Sequence, residues 1–157
     1  MTAHSVIHDT FMIERTYPAI PSRVFAAFAS REAKDAWGGG GDTAEVEPGT
    51  GPSEFDFRIG GHERFGVAFQ GVSYTYDARY YDIVPGQRLV YSYEMYAGAA
   101  RISVSVATIE FAAADGGTRL TWTEQGAYLD GFDGAEAPRL REGGTSEMLD
   151  GLAKYLA

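Results

Sequence analysis

Apolar and polar residues alternate along most of this chain, and a helical period takes over only in short stretches near its two ends. Over residues 10–17, Phe11, Ile13 and Tyr17 share one parity, with Arg15 among them, while Thr10, Glu14 and Thr16 share the other. This predicts an edge-forming first strand, which Pro18 and Pro21 stop. Ser22 is the expected cap of a short helix through Val24, Phe25 and Phe28, and Ser30 opens a second short turn ending at Trp37. Gly38 to Gly41 predict a mobile loop, because each glycine loses much backbone freedom on ordering.

The middle of the chain reads as consecutive strands joined by short turns. Phe55, Phe57 and Ile59 alternate with Glu54, Asp56 and Arg58 before a Gly60-Gly61 turn, and Phe65, Val67 and Phe69 continue the alternation. Val72, Tyr74, Tyr76, Ala78 and Tyr80 then face one way; a β-bulge at Tyr81-Asp82-Ile83 restores an inward Ile83. After the Pro85-Gly86 turn, Leu89, Tyr91, Tyr93 and Met95 form the next inward row, followed by Ile102, Val104 and Val106. Ile109 and Phe111 have the other parity, which predicts a second bulge near Ala107. Asp115-Gly116-Gly117 turns into Leu120 and Trp122. Residues 126–138 read as a loop holding Tyr128, Leu129 and Phe132, with Pro138 opening a helix over 139–156. That helix is expected to pack Met148, Leu149, Leu152 and Leu156 on the concave sheet face, with Leu140, Gly144 and Met148 on one stripe. Gly144 would then leave space facing the sheet. The expected class is α+β, an antiparallel meander with one buried and one wet face, which excludes alternating βα units.

Composition narrows this further. A chain of 157 residues, 45% hydrophobic and 22% charged, fits one globular domain over 1–157. There is no apolar run long enough for a membrane span and no visible secretory signal. There are no cysteines, which removes disulfides, thiolate metal sites and cysteine nucleophiles and fits a cytoplasmic location. The net charge is −9 and Lys34 and Lys154 are the only lysines, so nothing points to nucleic acid.

Seven of the ten tyrosines lie between Tyr74 and Tyr96. A buried phenol needs a hydrogen-bond partner, so a dry core would use Phe or Leu instead. Inward tyrosines therefore suggest a pocket with apolar walls and polar tips, against the plainer reading of strand propensity with tyrosine ends reaching water. The expected lining is Phe57, Tyr76, Tyr91, Tyr93, Trp122 and Met148, with Trp37 near the mouth. Glu124 follows Leu120 and Trp122 in parity and points inward, a candidate acid or base alongside a tyrosine, against the plainer reading of solvated strand-end charges; Arg101 is a partner for it or for Glu94. Asp56 and Arg58 read as a surface ion pair. His4, His8 and His62 show no metal-ligand spacing, and no phosphate loop or nucleophile elbow is present, so neither a metal nor a cofactor is expected.

Arg15 with Pro18 and Pro21, Val24-Phe25, Trp37, the run Asp56 to Gly61, Tyr80 to Pro85, Arg88 to Tyr91, Gly117 to Thr121 and Leu149 to Leu152 follow one another in a recognisable order. The series, spanning about Phe11 to Leu156, resembles the SRPBCC superfamily (START-like, birch-pollen-allergen-like). Within it, the chain looks like the bacterial branch related to the C-terminal domain of the activator of the ninety-kilodalton heat-shock protein ATPase. The resemblance implies a helix-grip fold: a curved sheet wrapped around a long C-terminal helix, with two short helices near the N-terminus and an apolar cavity between. Members bind lipids, polyketides or other apolar ligands, some are cyclases or hydrolases, and some act on partner proteins. Many relatives carry a Trp after a Gly near the start of the last helix; here Gly144 follows Gly143, which leaves room for a larger pocket. The expected function is binding of a small apolar or aromatic ligand without turnover. The alternatives are an enzyme using the same cavity and a homodimer or protein partner engaged through the surface.

Overall fold

The computed structural model describes residues 4–38, 46–48 and 53–157. In chain order the elements are β1 (Val6–Tyr17), α1 (Pro21–Ala26), α2 (Arg31–Gly38), β2 (Val46–Pro48), β3 (Glu54–Phe55), β4 (His62–Phe69), β5 (Val72–Val84), β6 (Arg88–Ala97), β7 (Ala100–Ala114), β8 (Gly117–Leu129) and α3 (Ala137–Leu156). They make one antiparallel sheet in the order β1-β8-β7-β6-β5-β4-β2, with β3 on β4. The sheet curves around α3, with α1 and α2 beside it: the helix-grip α+β fold. The first strand is an edge strand, as its pattern predicts, though it begins at Val6, before residue 10.

Antiparallel partners share a face, so the register lines inward residues up across the sheet. Three rows matter. Phe65, Tyr76, Met95, Ser103 and Tyr128 form one; Glu63, Ala78, Tyr93, Ser105 and Gly126 the next; Tyr80, Tyr91, Ala107, Glu124 and Phe11 the third. Beyond them, Leu89, Ile109, Trp122 and Ile13 continue into a core closed by Val24, Phe25 and Phe28 near the short helices.

The expected bulge in β5 is present between Tyr80 and Asp82. The second irregularity is not near Ala107. It lies where Met95 pairs with Ser103 and Tyr96 with Arg101, leaving Ile102 as the extra residue. From there Ser103, Ser105 and Ala107 face inward, whereas Val104 and Val106 face out, 37% and 41% exposed. Two valines are left to solvent because the two serines have an interior partner, described below.

Other expectations are corrected by local geometry. Ser22 does not cap α1; the Ile20 carbonyl accepts from Arg23 and Val24, with Pro21 in the first turn. Ser30 does cap α2, its hydroxyl accepting from the Ala33 N–H at 3.1 Å. Of the glycine run, Gly38 ends α2, and residues 39–41 lie outside the described residues. The alternation at 54–59 gives a strand only to Phe55; Asp56 N–H then bonds back to the His62 carbonyl, and Ile59 is 61% exposed. Gly60, at φ 84°, reverses the chain there. β8 runs to Leu129, so Tyr128 is a buried strand residue and the loop before α3 begins only at Asp130.

The C-terminal helix begins two residues before its predicted start, with Pro138 in its first turn. Leu149, Leu152 and Leu156 are buried as expected. Its N-terminal half is rotated from the expected stripe. Leu140 is 70% exposed and Gly144 faces solvent, while Arg141 and Thr145 face the sheet. Gly151 allows close approach: a Cβ there would stand 2.6 Å from the Trp37 carbonyl oxygen.

Candidate functional site

Seven aromatic rings close a loop through the core. Tyr91 meets Tyr80 at 5.7 Å between ring centroids, and Tyr80 meets Phe57 at 5.0 Å. Phe25, Phe111 and Phe28 carry it to Trp122, which returns edge-on to Tyr91 at 6.4 Å. The edge-to-face contacts are the arrangement aromatic quadrupoles favour. A branch leaves it from Tyr91 through Tyr93 and Tyr76 to Phe65.

The sequence-predicted residues distribute over this network. Tyr91, Tyr93 and Trp122 are buried side by side. Tyr76 is half-buried, stacks on Phe65 and meets Tyr93 at a tilt, while Phe57 is half-buried between Phe25 and Tyr80. Met148 is half-buried on α3, beside the end of α2. Trp37 is buried on Phe28, its indole N–H donating to the Ala27 carbonyl at 2.8 Å, among the packed residues of the short helices. Two clefts, of about 280 and 370 Å³, lie elsewhere. One is on the outer face around Val104 and Val106; the other is at the β7–β8 turn, and neither includes any of the seven.

Glu124 is the most buried ionisable group near them, 1% exposed. Its carboxylate accepts from the Tyr93 hydroxyl at 2.7 Å and from the Trp122 indole N–H at 3.2 Å. Burial pushes its pKa up, and the bonds from Tyr93 and Trp122 together with the Arg141 charge offset this only in part. Burial of their hydroxyls also raises Tyr91, Tyr76 and Tyr93, whatever part of the Tyr76 ring stays uncovered, so these phenols stay protonated at ordinary pH. Arg101 pairs with Glu94 on the surface, not with Glu124.

The partner of Glu124 is Arg141, which sequence reasoning missed. Its Nη1 lies 3.9 Å from Glu124 Oε2 and donates to the Tyr93 hydroxyl at 2.8 Å. Nη1 is also 3.4 Å from Ser105 Oγ, and Nη2 donates to Ser103 Oγ at 2.8 Å. The Tyr93 and Tyr128 rings each lie 5.3 Å from the guanidinium carbon. These contacts explain the inward serines of β7. They also explain Gly126: a Cβ there would meet Ser105 Oγ at 3.0 Å and the Tyr128 hydroxyl at 3.1 Å. The available signal was the serine parity of β7, set against an arginine four residues before Thr145.

Two further polar contacts fix the frame. Lys34 of α2 and the Tyr80 hydroxyl both donate to buried Glu63 of β4. Arg15 and Tyr17 of β1 hold α3, Arg15 through Ser146 and Asp150, Tyr17 by donating to the Leu149 carbonyl at 2.9 Å. Asp56 and Arg58 form the expected exposed ion pair. Among the described residues no His, Asp or Glu group is arranged to hold a metal ion, and no helix is long and apolar enough to cross a membrane.

Residues 18–157 match the family described as activator of Hsp90 ATPase homolog 1-like protein. No curated protein matches the chain. Among solved structures, the Mll3558 protein from Rhizobium loti is 46% identical, with a TM-score of 0.82 over 97% of this chain and 99% of that one. A protein from Rhizobium leguminosarum is 41% identical, with a TM-score of 0.86 over 99% and 98%. Ara h 8.0201 shares the fold at 17% identity, with a TM-score of 0.68 over 96% and 98%.

Proposed function

Since this chain belongs to the activator-of-Hsp90-ATPase-homologue-1-like family of the SRPBCC superfamily, we propose that it binds a small hydrophobic or aromatic molecule between α3 and the sheet. The observation that carries this is the contrast along the inward face. The rows near α1 and α2 are sealed, while Phe65, Tyr76 and Met95, next to the Arg141 cluster, are only half-buried although they point inward. Half-covered aromatic surface beside fixed polar groups is the usual make-up of a small-molecule site. In this reading Tyr76, Tyr93 and Met148 touch the ligand, and Phe57, Tyr91, Trp122 and Trp37 form the wall behind them. The unit is one domain over 1–157, acting in the cytoplasm without a cofactor.

Glu124 serves as an anchor here and not as a base, because its oxygens already accept from Tyr93 and Trp122 beside Arg141. The ligand is therefore returned unchanged. The test is native mass spectrometry of protein purified without denaturation. A bound small molecule, released on unfolding and weakened by Tyr76→Ala, is the expected result. Protein that carries nothing and binds no naphthyl probe would overturn the reading. Product formation that Glu124→Gln abolishes would turn it into an enzyme. A protein partner, the second reading, rests on the family description, and co-purification of a partner with an empty interior would favour it.

A further inference from the structure

Arg141 offers five N–H donors, and the fold uses three of them. Nη1 spends both, on Tyr93 and more weakly on Ser105, while Nη2 spends one on Ser103. The Nε–H and the second Nη2–H have no acceptor among the described residues. The sole fully buried side-chain nitrogen or oxygen without a partner among those residues is His62 Nδ1, so the Arg141 Nε–H is unpaired without being sealed in the core. Nε and Nη2 form the side edge of a guanidinium, two parallel donors spaced for the two oxygens of a carboxylate.

Position and charge agree with that use. Nη2 reaches Ser103, which shares its row with half-buried Tyr76 and Met95, so that end of the guanidinium adjoins the half-buried part of the inward face. Glu124 sits 3.9 Å from Nη1, at the other end of the guanidinium, and is already bonded by Tyr93 and Trp122. An anion on the Nε–Nη2 edge would therefore approach from the side away from Glu124. The rings of Tyr93 and Tyr128 fix the plane of the guanidinium in advance, which lowers the ordering cost of binding.

Resting on the reading of a small-molecule site, we propose that the ligand is an aromatic acid whose carboxylate is taken by the Nε–Nη2 edge of Arg141 while its ring lies against Tyr76. The probes are 2-naphthoate and its uncharged amide, 2-naphthamide, which share size and ring. Binding to the intact protein is followed by calorimetry at neutral pH. The acid should bind about tenfold or more tightly than the amide, since a charge-assisted bidentate pair replaces a neutral contact. Arg141→Gln should bring the acid-to-amide affinity ratio down to about one, and Arg141→Lys should retain part of it. The wild-type comparison needs no variant, so a poorly folding Arg141→Gln does not blunt the test. Equal binding of acid and amide overturns the carboxylate assignment and leaves the ligand site standing. Binding of neither overturns both.

Discussion

At its C-terminal half α3 meets its surroundings through Leu149, Leu152 and Leu156, and its backbone comes close enough to α2 that only Gly151 fits. At its N-terminal half the inward positions after buried Pro138 are Arg141 and Thr145, and Gly143 and Gly144 have no neighbour within 4 Å of where a Cβ would stand. One helix thus closes the sheet at one end by apolar packing and leaves it partly open at the other, held by hydrogen bonds. Apolar contact is indifferent to direction and excludes everything else; a guanidinium held by hydroxyls keeps directional donors in reserve. Apolar packing and directional hydrogen bonding are in this way separated along a single element.

The largest expected effect is at the closed end. Leu149→Ala removes a fully buried side chain, and should cost about 2–5 kcal/mol in urea unfolding. A loss well under that range would mean the two ends pack alike. Gly151→Ala forces a methyl against the Trp37 carbonyl oxygen and should cost roughly 1–3 kcal/mol, because the obstacle is backbone and α2 must shift. The same substitution at Gly144 should have the opposite sign, stabilising by about 0.5–1 kcal/mol, since nothing obstructs the methyl and alanine favours helix. If the two glycine variants moved stability in the same direction, the contrast between the halves of α3 would fail.

The smallest effect concerns pH. Burial lifts the Glu124 pKa in the fold, so the folded state keeps this proton to higher pH than the unfolded chain does. The contribution of Glu124 is therefore greatest below the ordinary value of 4.5 and declines as pH rises through the folded value. Stability of the wild type relative to Glu124→Gln should fall over that window and then level off. A difference that stays flat between about pH 4 and pH 8 would show that the hydrogen bonds to Glu124 cancel its burial.

Much of the closed end was legible in the sequence. The rows through Tyr80, Tyr91 and Trp122 follow from period-2 alternation, the bulge after Tyr80 from the parity break at Tyr81-Asp82-Ile83, and the burial of Glu124 from its place two residues beyond Trp122. These are local properties of a strand: once the pleat is set, each side chain's face is set with it. The open end was not legible. Arg141 reads as a solvent residue until two strands distant in sequence, β6 with Tyr93 and β7 with Ser103 and Ser105, supply the groups that bond it. The phase of β7 could not be chosen from the valines alone, because burying the valines and burying the serines differ only through a partner on another element. Hydrophobic periodicity is written in neighbouring residues and survives in the sequence. The orientation of a buried charge depends on which donors and acceptors the fold brings together, and only the tertiary structure decided it.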